Sequence, residues 1–299
     1  MNFPARKNML LQILQVTAPV FLLTFAGYIW ARLELRFDLE FITRLAINFS
    51  MPCLIFAVLV KAKIDPAVFR DIAFASVASY VALGLAIWLG LRTAGLSLRT
   101  YLAPGVFANT GNVGLPVALF AYGQEGLAYA IVIFAVMAIF SFTIGIYMVA
   151  GAGKSSEVLK QPLVYASILG GIFALQGWTV PLWLLNSLDL AGQISIPLML
   201  LTLGVSIAKL SVGEVGRAVA LSMAKLMISV AVAILVTWLF DLTGAARGVL
   251  VLQLIMPVAV TSYLLAERYR SEPESVAGTV VISTLISVGA IPVALALLL

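Results

Sequence analysis

Histidine is absent from this 299-residue chain, and cysteine occurs once, as Cys53. The first absence removes the commonest zinc ligand and the usual general base; the second excludes an intramolecular disulfide. Charge is also scarce. Asp, Glu, Lys and Arg make up 10% of the residues and hydrophobic types 63%, whereas soluble domains carry about 25% charged residues. A soluble core cannot absorb that much apolar surface. There is no Gly-x-Ser-x-Gly elbow and no pair of intramembrane aspartates, so an enzyme is not expected, nor a metal or a cofactor. The net charge of +5 comes from basic residues scattered singly between apolar runs. That pattern argues against a nucleic-acid partner.

What the chain has instead is a succession of uncharged stretches of membrane-crossing length. In the first half they run Asn8 to Ala31, Leu45 to Val60, Ile72 to Leu91, Thr100 to Gln124 and Gly126 to Gly153. After a polar segment from Lys154 to Gln161 come Pro162 to Gly177, Leu190 to Ala208, Gly213 to Phe240, Gly248 to Ala266 and Ser275 to Leu299. The stretches are apolar on every side and lack the alternating polarity of barrel strands, so the expected class is an all-α membrane protein with ten transmembrane helices. Residues 1–153 form one five-helix half and residues 154–299 the other. Arg6 and Lys7 precede the first stretch as in a signal peptide, but its apolar run exceeds the ~7–15 residues of such a segment, so it reads as the first span.

The halves share landmarks. Ser50-Met51-Pro52 in the second span matches Ser195-Ile196-Pro197 in the seventh, and Pro116-Val117-Ala118 in the fourth matches Pro257-Val258-Ala259 in the ninth. Each half has an odd number of spans, so duplication places the second upside down: an inverted repeat. With both termini outside, ten of the sixteen basic residues not assigned to the membrane interior fall on the cytoplasmic side, which favours that orientation.

Two spans carry helix-breaking residues at mid-depth. Asn109-Thr110-Gly111-Asn112-Val113-Gly114-Leu115-Pro116 lies at the centre of the fourth, where Gly111, Gly114 and Pro116 should unwind the helix. Pro257 is the midpoint of the ninth, with Thr261 and Ser262 beside it. Free backbone groups at that depth cost several kcal/mol each unless protein, water or substrate satisfies them. Two half-helix N-termini with the amides of Asn109 and Asn112 and the hydroxyl of Thr110 suit an anionic ligand. Asn109, Thr110, Asn112, Pro116, Pro257, Thr261 and Ser262 are therefore the candidate substrate-binding residues. Lys225, eight residues after Arg217 in the eighth span, is a candidate coupling residue or a snorkelling one. Arg44 is a weaker candidate for coupling, because Glu40 stands four residues before it as an ion-pair partner.

These motifs, with Met256 to Thr261, Leu264-Leu265-Ala266-Glu267 and Ser283-Thr284-Leu285-Ile286-Ser287, resemble those of the auxin efflux carrier family, in its bacterial, malonate permease-like form. The resemblance implies a fold like that of bile acid:sodium symporters and sodium/proton antiporters, with crossed fourth and ninth helices. It also implies an elevator-type cycle, in which spans three to five and eight to ten move against the rest. Members of the family often have asparagine where this chain has Thr261. The expected function is secondary transport of small organic anions, mono- or dicarboxylates, across a bacterial inner membrane. The alternative is cation/proton antiport or sodium-coupled symport, which would need an ionisable carboxylate at membrane depth. Expected partners are the anion and the lipid bilayer, with a homodimer left open.

Overall fold

The computed structural model describes residues 3–62, 65–150, 161–210 and 213–299. The segment holding Lys154 and Lys160, the boundary between the two expected halves, and Lys63 lie outside the described residues. Among the described residues every regular element is helical, and the one strand-like contact is an isolated antiparallel bridge between Ala108 and Val258.

Among the described residues seven helices are long and apolar enough to cross a bilayer, and two shorter apolar ones, Pro162–Gln176 and Gly244–Ile255, accompany them. In chain order, α1 is Phe3–Arg32; α2 (Leu39–Leu45) and α3 (Met51–Lys61) are joined by a π-helical turn, Ala46–Ser50; α4 is Pro66–Thr93. Next come α5 (Leu98–Val106), a π-helical turn Thr110–Gly114, α6 (Leu115–Phe140), a third π turn Ser141–Gly145, and α7 (Ile146–Ala150). The second half supplies α8 (Pro162–Gln176), α9 (Leu182–Gln193), α10 (Ser195–Lys209), α11 (Val215–Leu239), α12 (Gly244–Ile255), α13 (Val260–Arg268) and α14 (Pro273–Leu298).

Local chemistry sets the ends. The carboxylate of Asp65 accepts from the Ala67 N–H at 2.8 Å, with Pro66 in the first turn of α4, and Ser97 caps α5 through the Thr100 N–H. Gly123, at φ 65° and ψ −153°, occupies a region open only to glycine and divides α6 into two helices. The sequence places the loop between spans two residues later, at Glu125. One element departs from the expectation: α9 begins at Leu182, so the Leu182–Lys209 helical unit starts eight residues before the predicted Leu190. Asn186, Asp189 and Gln193 make its first turns look like loop, but Asp189 is used by an ion pair with Lys61 at 2.7 Å and bonds to Gln193 at 3.2 Å.

The outer surface is apolar. Trp238 is 77% exposed and Leu297 83%, an exposure that in water would be an aggregation surface and in lipid is the solvated face. Buried hydroxyls inside the helices back-bond to carbonyls one turn earlier, as Thr17 to Ile13, Ser76 to Ile72 and Thr237 to Ala233 do. They thus enter the apolar medium without an open donor.

The helices associate in two groups. α1 packs along α10, and α3 against α8 and α9; α4, α5, α6, α11, α12 and α14 pack among themselves. The α1–α10 seam is a backbone contact. Gly27 abuts the Leu201 main chain and Gly204 abuts the main chain of Thr24 and Tyr28, with no room for a Cβ at either. In a bilayer, where close packing replaces the hydrophobic effect between helices, such a seam carries the association. Gly204→Val should therefore cost at least about 1–3 kcal/mol of overpacking. The check is the melting temperature of the purified variant, expected to fall by several degrees while Gly90→Ala, which meets open space, leaves it unchanged.

Candidate functional site

The break in the first half is not at the glycines and proline but just before them. Helix α5 ends at Val106, Phe107 is extended (φ −93°, ψ 108°) and Asn109 (φ −77°, ψ 55°) caps the π turn Thr110–Gly114. Pro116 follows the π turn directly, as the second residue of α6 in a helix that continues unbroken from Thr110. In the second half the break is at the proline itself. Met256 is driven extended (φ −53°, ψ 150°) ahead of Pro257, as the residue before a proline should be, and Ala259 (φ −68°, ψ 137°) precedes α13. Pro116 thus lies beyond its break, whereas Pro257 lies within the other.

The two extended segments cross antiparallel and satisfy each other. The Asn109 N–H donates to the Pro257 carbonyl at 2.7 Å, and the Ala259 N–H donates to the Phe107 carbonyl at 3.3 Å. Four more groups are met nearby. Thr110 N–H donates to Ala108 O at 2.8 Å, Val258 N–H to Ser283 Oγ at 3.0 Å, and Asn112 N–H to Asn109 Oδ1 at 3.3 Å. The Met256 carbonyl, just beyond the end of α12, accepts from Lys225 Nζ at 2.6 Å. Lys225 is 4% exposed and does not snorkel; its ammonium lies against the negative end of a half-helix.

The crossing has two sides. On one, a cavity of about 90 Å³ is lined by Asn109, Gly111 and Asn112 of the first break, Ala259, Val260 and Thr261 of the second, and Met51, Phe134, Ser141 and Met199 from helices around them. No lining residue is acidic or basic. Both half-helix N-termini, at Thr110 and Val260, meet there. Asn109 is 5% exposed and its Nδ2 has no partner among the described residues; Thr110, fully buried, has an unpartnered Oγ1. Lys225 is on the other side, in a separate cavity with Val258.

Of the predicted residues, the structure brings Asn109, Asn112, Thr261 and Gly111 to the cavity wall. Thr110, Pro116, Pro257 and Ser262 lie at the crossing or beside it without lining the cavity. A Cβ on Gly111 would press on Phe134 and Met199, whereas one on Gly114 would enter the side-chain amide of Gln253. Arg44 is away from the crossing, its side chain 72% exposed and paired with Glu40 at 2.6 Å. Two residues were missed. Gln253 is fully buried with both amide atoms unpartnered among the described residues, and its signal was plain: an amide four residues before Pro257 in an apolar run. Ser283, quoted only as part of a motif, holds the Val258 N–H.

A wider vestibule of about 810 Å³ lies between α3, α9 and α10 on one wall and the Gly123 corner on the other, with Lys61, Asp189, Gln193, Gln124 and Glu125 around it. Ile47 and Met51 face the crossing cavity while Leu54, Val58 and Lys61 face the vestibule. That spacing of three and four residues is one face of a helix. A single stripe thus runs from one compartment to the other.

The model of a family described as membrane transport protein matches residues 12–161 and 157–295. The chain belongs to that family. These are the auxin efflux carriers and their bacterial relatives, whose motifs the sequence carries. Similar proteins include two uncharacterized transporters. One, from Methanocaldococcus jannaschii, is 30% identical over 61% of this chain and 62% of its own length. The other, from Methanothermobacter thermautotrophicus, is 27% identical over 91% and 94%. A third relative, from Rhizobium meliloti, is provisionally named a malonate transporter and is 24% identical over 94% of both chains. This family member is a membrane transporter.

Proposed function

We propose that the protein is an elevator-type secondary transporter of small carboxylates, with the cavity at the α5/α6 and α12/α13 crossing as its substrate site. The observation that carries this reading is the uncharged cavity into which two half-helix N-termini and the unpartnered amide of Asn109 converge. Helix N-termini and amide donors stabilise a carboxylate in a dry site, and no acidic side chain is there to hold a cation instead. That weighs against cation/proton exchange. The cavity is small beside the ~300–1,000 Å³ of ordinary ligand pockets, which suits a few-carbon acid such as the malonate named for one relative.

Ten spans in two inverted halves fit the contacts. In such a repeat, equivalent residues meet on the two-fold axis. Ser195 Oγ donates to Ser50 Oγ at 2.7 Å, and Ala108 faces Val258. Each is a pair of counterparts, one from each half. The group around α4, α6, α11, α12 and α14 is the moving body on this reading, and α1, α3, α8, α9 and α10 the fixed one, with the Lys61–Asp189 ion pair inside the fixed body. Both termini outside and a bacterial inner membrane remain the proposed placement.

In proteoliposomes, Asn112→Ala should lower uptake of a labelled dicarboxylate about tenfold to a hundredfold, the worth of one hydrogen bond to a charged group. Parent protein that moves no carboxylate, or Asn112→Ala that moves it as fast as the parent, would sink the proposal.

A further inference from the structure

Behind the crossing, a cavity of about 280 Å³ runs between α4 and α11. Its walls are apolar, built by Ile87 and Leu91 of α4, Pro104 of α5 and Leu221 and Ile228 of α11. Lys225 closes its inner end and Arg217 stands at its outer end, eight residues or about 12 Å apart along the helix. No acidic residue lines it. The two cations differ in what they have left to give. Arg217 is already paired with Glu214 at 3.0 Å, whereas the one hydrogen bond of Lys225 is the 2.6 Å bond to the Met256 carbonyl, out of three donors on an ammonium. Among the described residues no carboxylate pairs with it. Exposed small residues, Gly90, Ala220 and Ala224, border the cavity on the lipid-facing side, and a Cβ on Gly90 meets nothing within 4 Å.

We propose that this cavity is a second binding site, separate from the crossing cavity, for a lipophilic monocarboxylate that enters sideways from the bilayer. Its apolar body lies between α4 and α11, and its carboxylate takes the free donors of Lys225. Charge complementarity selects the head group: an apolar pocket of this shape would accept any chain, but a buried, unbalanced ammonium at its end accepts an anion and rejects a cation. Lys225 would then divide its donors between ligand and Met256 carbonyl, so occupancy is felt at the end of α12 and hence at the crossing.

The test uses the full chain in phospholipid nanodiscs and a decanoate analogue carrying a photoactivated diazirine, with cross-links mapped by mass spectrometry. Labelling is expected on residues 87–94 and 217–228. Decanoate should displace it, and decanol and decyltrimethylammonium should need at least about ten times the concentration to do so. Ala224→Phe, which fills the cavity, should lose the labelling; Gly90→Leu, whose side chain enters open space, gives the same readout should the first variant fail to fold. Equal displacement by all three amphiphiles would mean that lipid or any chain fills the groove, and would overturn the proposal. So would labelling that survives in a folded Ala224→Phe or Gly90→Leu protein.

Discussion

Asn109→Asp is expected to abolish carboxylate transport, with a loss of about a thousandfold. The replacement is nearly isosteric, and its carboxylate still accepts from the Asn112 N–H as Oδ1 of Asn109 does at 3.3 Å, so the cap on the π turn survives. What changes is the other atom. The unpartnered Nδ2 becomes a second negative oxygen on the cavity wall. A like charge about 4 Å from the substrate carboxylate, at an effective permittivity near 20, costs about 4 kcal/mol, or three decades in affinity. The same variant separates the two transport readings. A cation carrier would tolerate or gain from a carboxylate at this depth, so counterflow of a labelled dicarboxylate and cation uptake should be measured side by side. Retained dicarboxylate flux in Asn109→Asp would refute an anion site at the crossing.

Lys225→Met is expected to separate stability from function. Removing the ammonium leaves the Met256 carbonyl without the donor it has at 2.6 Å, a cost of about 1–3 kcal/mol. It also relieves the burial of a charge that no carboxylate balances, worth several kcal/mol in the opposite direction. The melting temperature should therefore stay level or rise. Transport should not. Across one helix width, about 10 Å, a unit charge is worth roughly 1.7 kcal/mol at an effective permittivity near 20, so substrate affinity should fall more than tenfold. Lys225→Arg, which keeps the charge, should recover part of it. A Lys225→Met protein with parental flux would reduce the residue to a packing element.

Much of this was legible in the sequence because lipid imposes one rule on every span. Runs of uncharged residues had to be helices, and the corner at Gly123 falls two residues from the boundary between two of them. The Glu40–Arg44 pair could be read from spacing alone. The position of the first break could not: Gly111, Gly114 and Pro116 look like its cause, yet the chain opens at Phe107–Asn109, and a π turn capped by Asn109 carries the glycines and leads into the proline without a break. The role of Lys225 was hidden for a different reason, since its partner is a main-chain carbonyl, brought near by folding and carried by every residue alike. Likewise the start of α9 was missed because Asp189 and Gln193 line a vestibule inside the protein, where polarity no longer means loop.

The crossing of the two extended segments is tied by main-chain groups. Phe107, Asn109, Pro257 and Ala259 contribute only amides and carbonyls to it, so nearly any side chain is compatible with the bridge. Proline is excluded where an N–H is spent, at 109 and 259 on the bridge and at 107 on the Ala103 carbonyl; at 257 only the carbonyl is used and proline is at no disadvantage. Selectivity can therefore drift over generations, residue by residue, without the crossing ever having to be rebuilt.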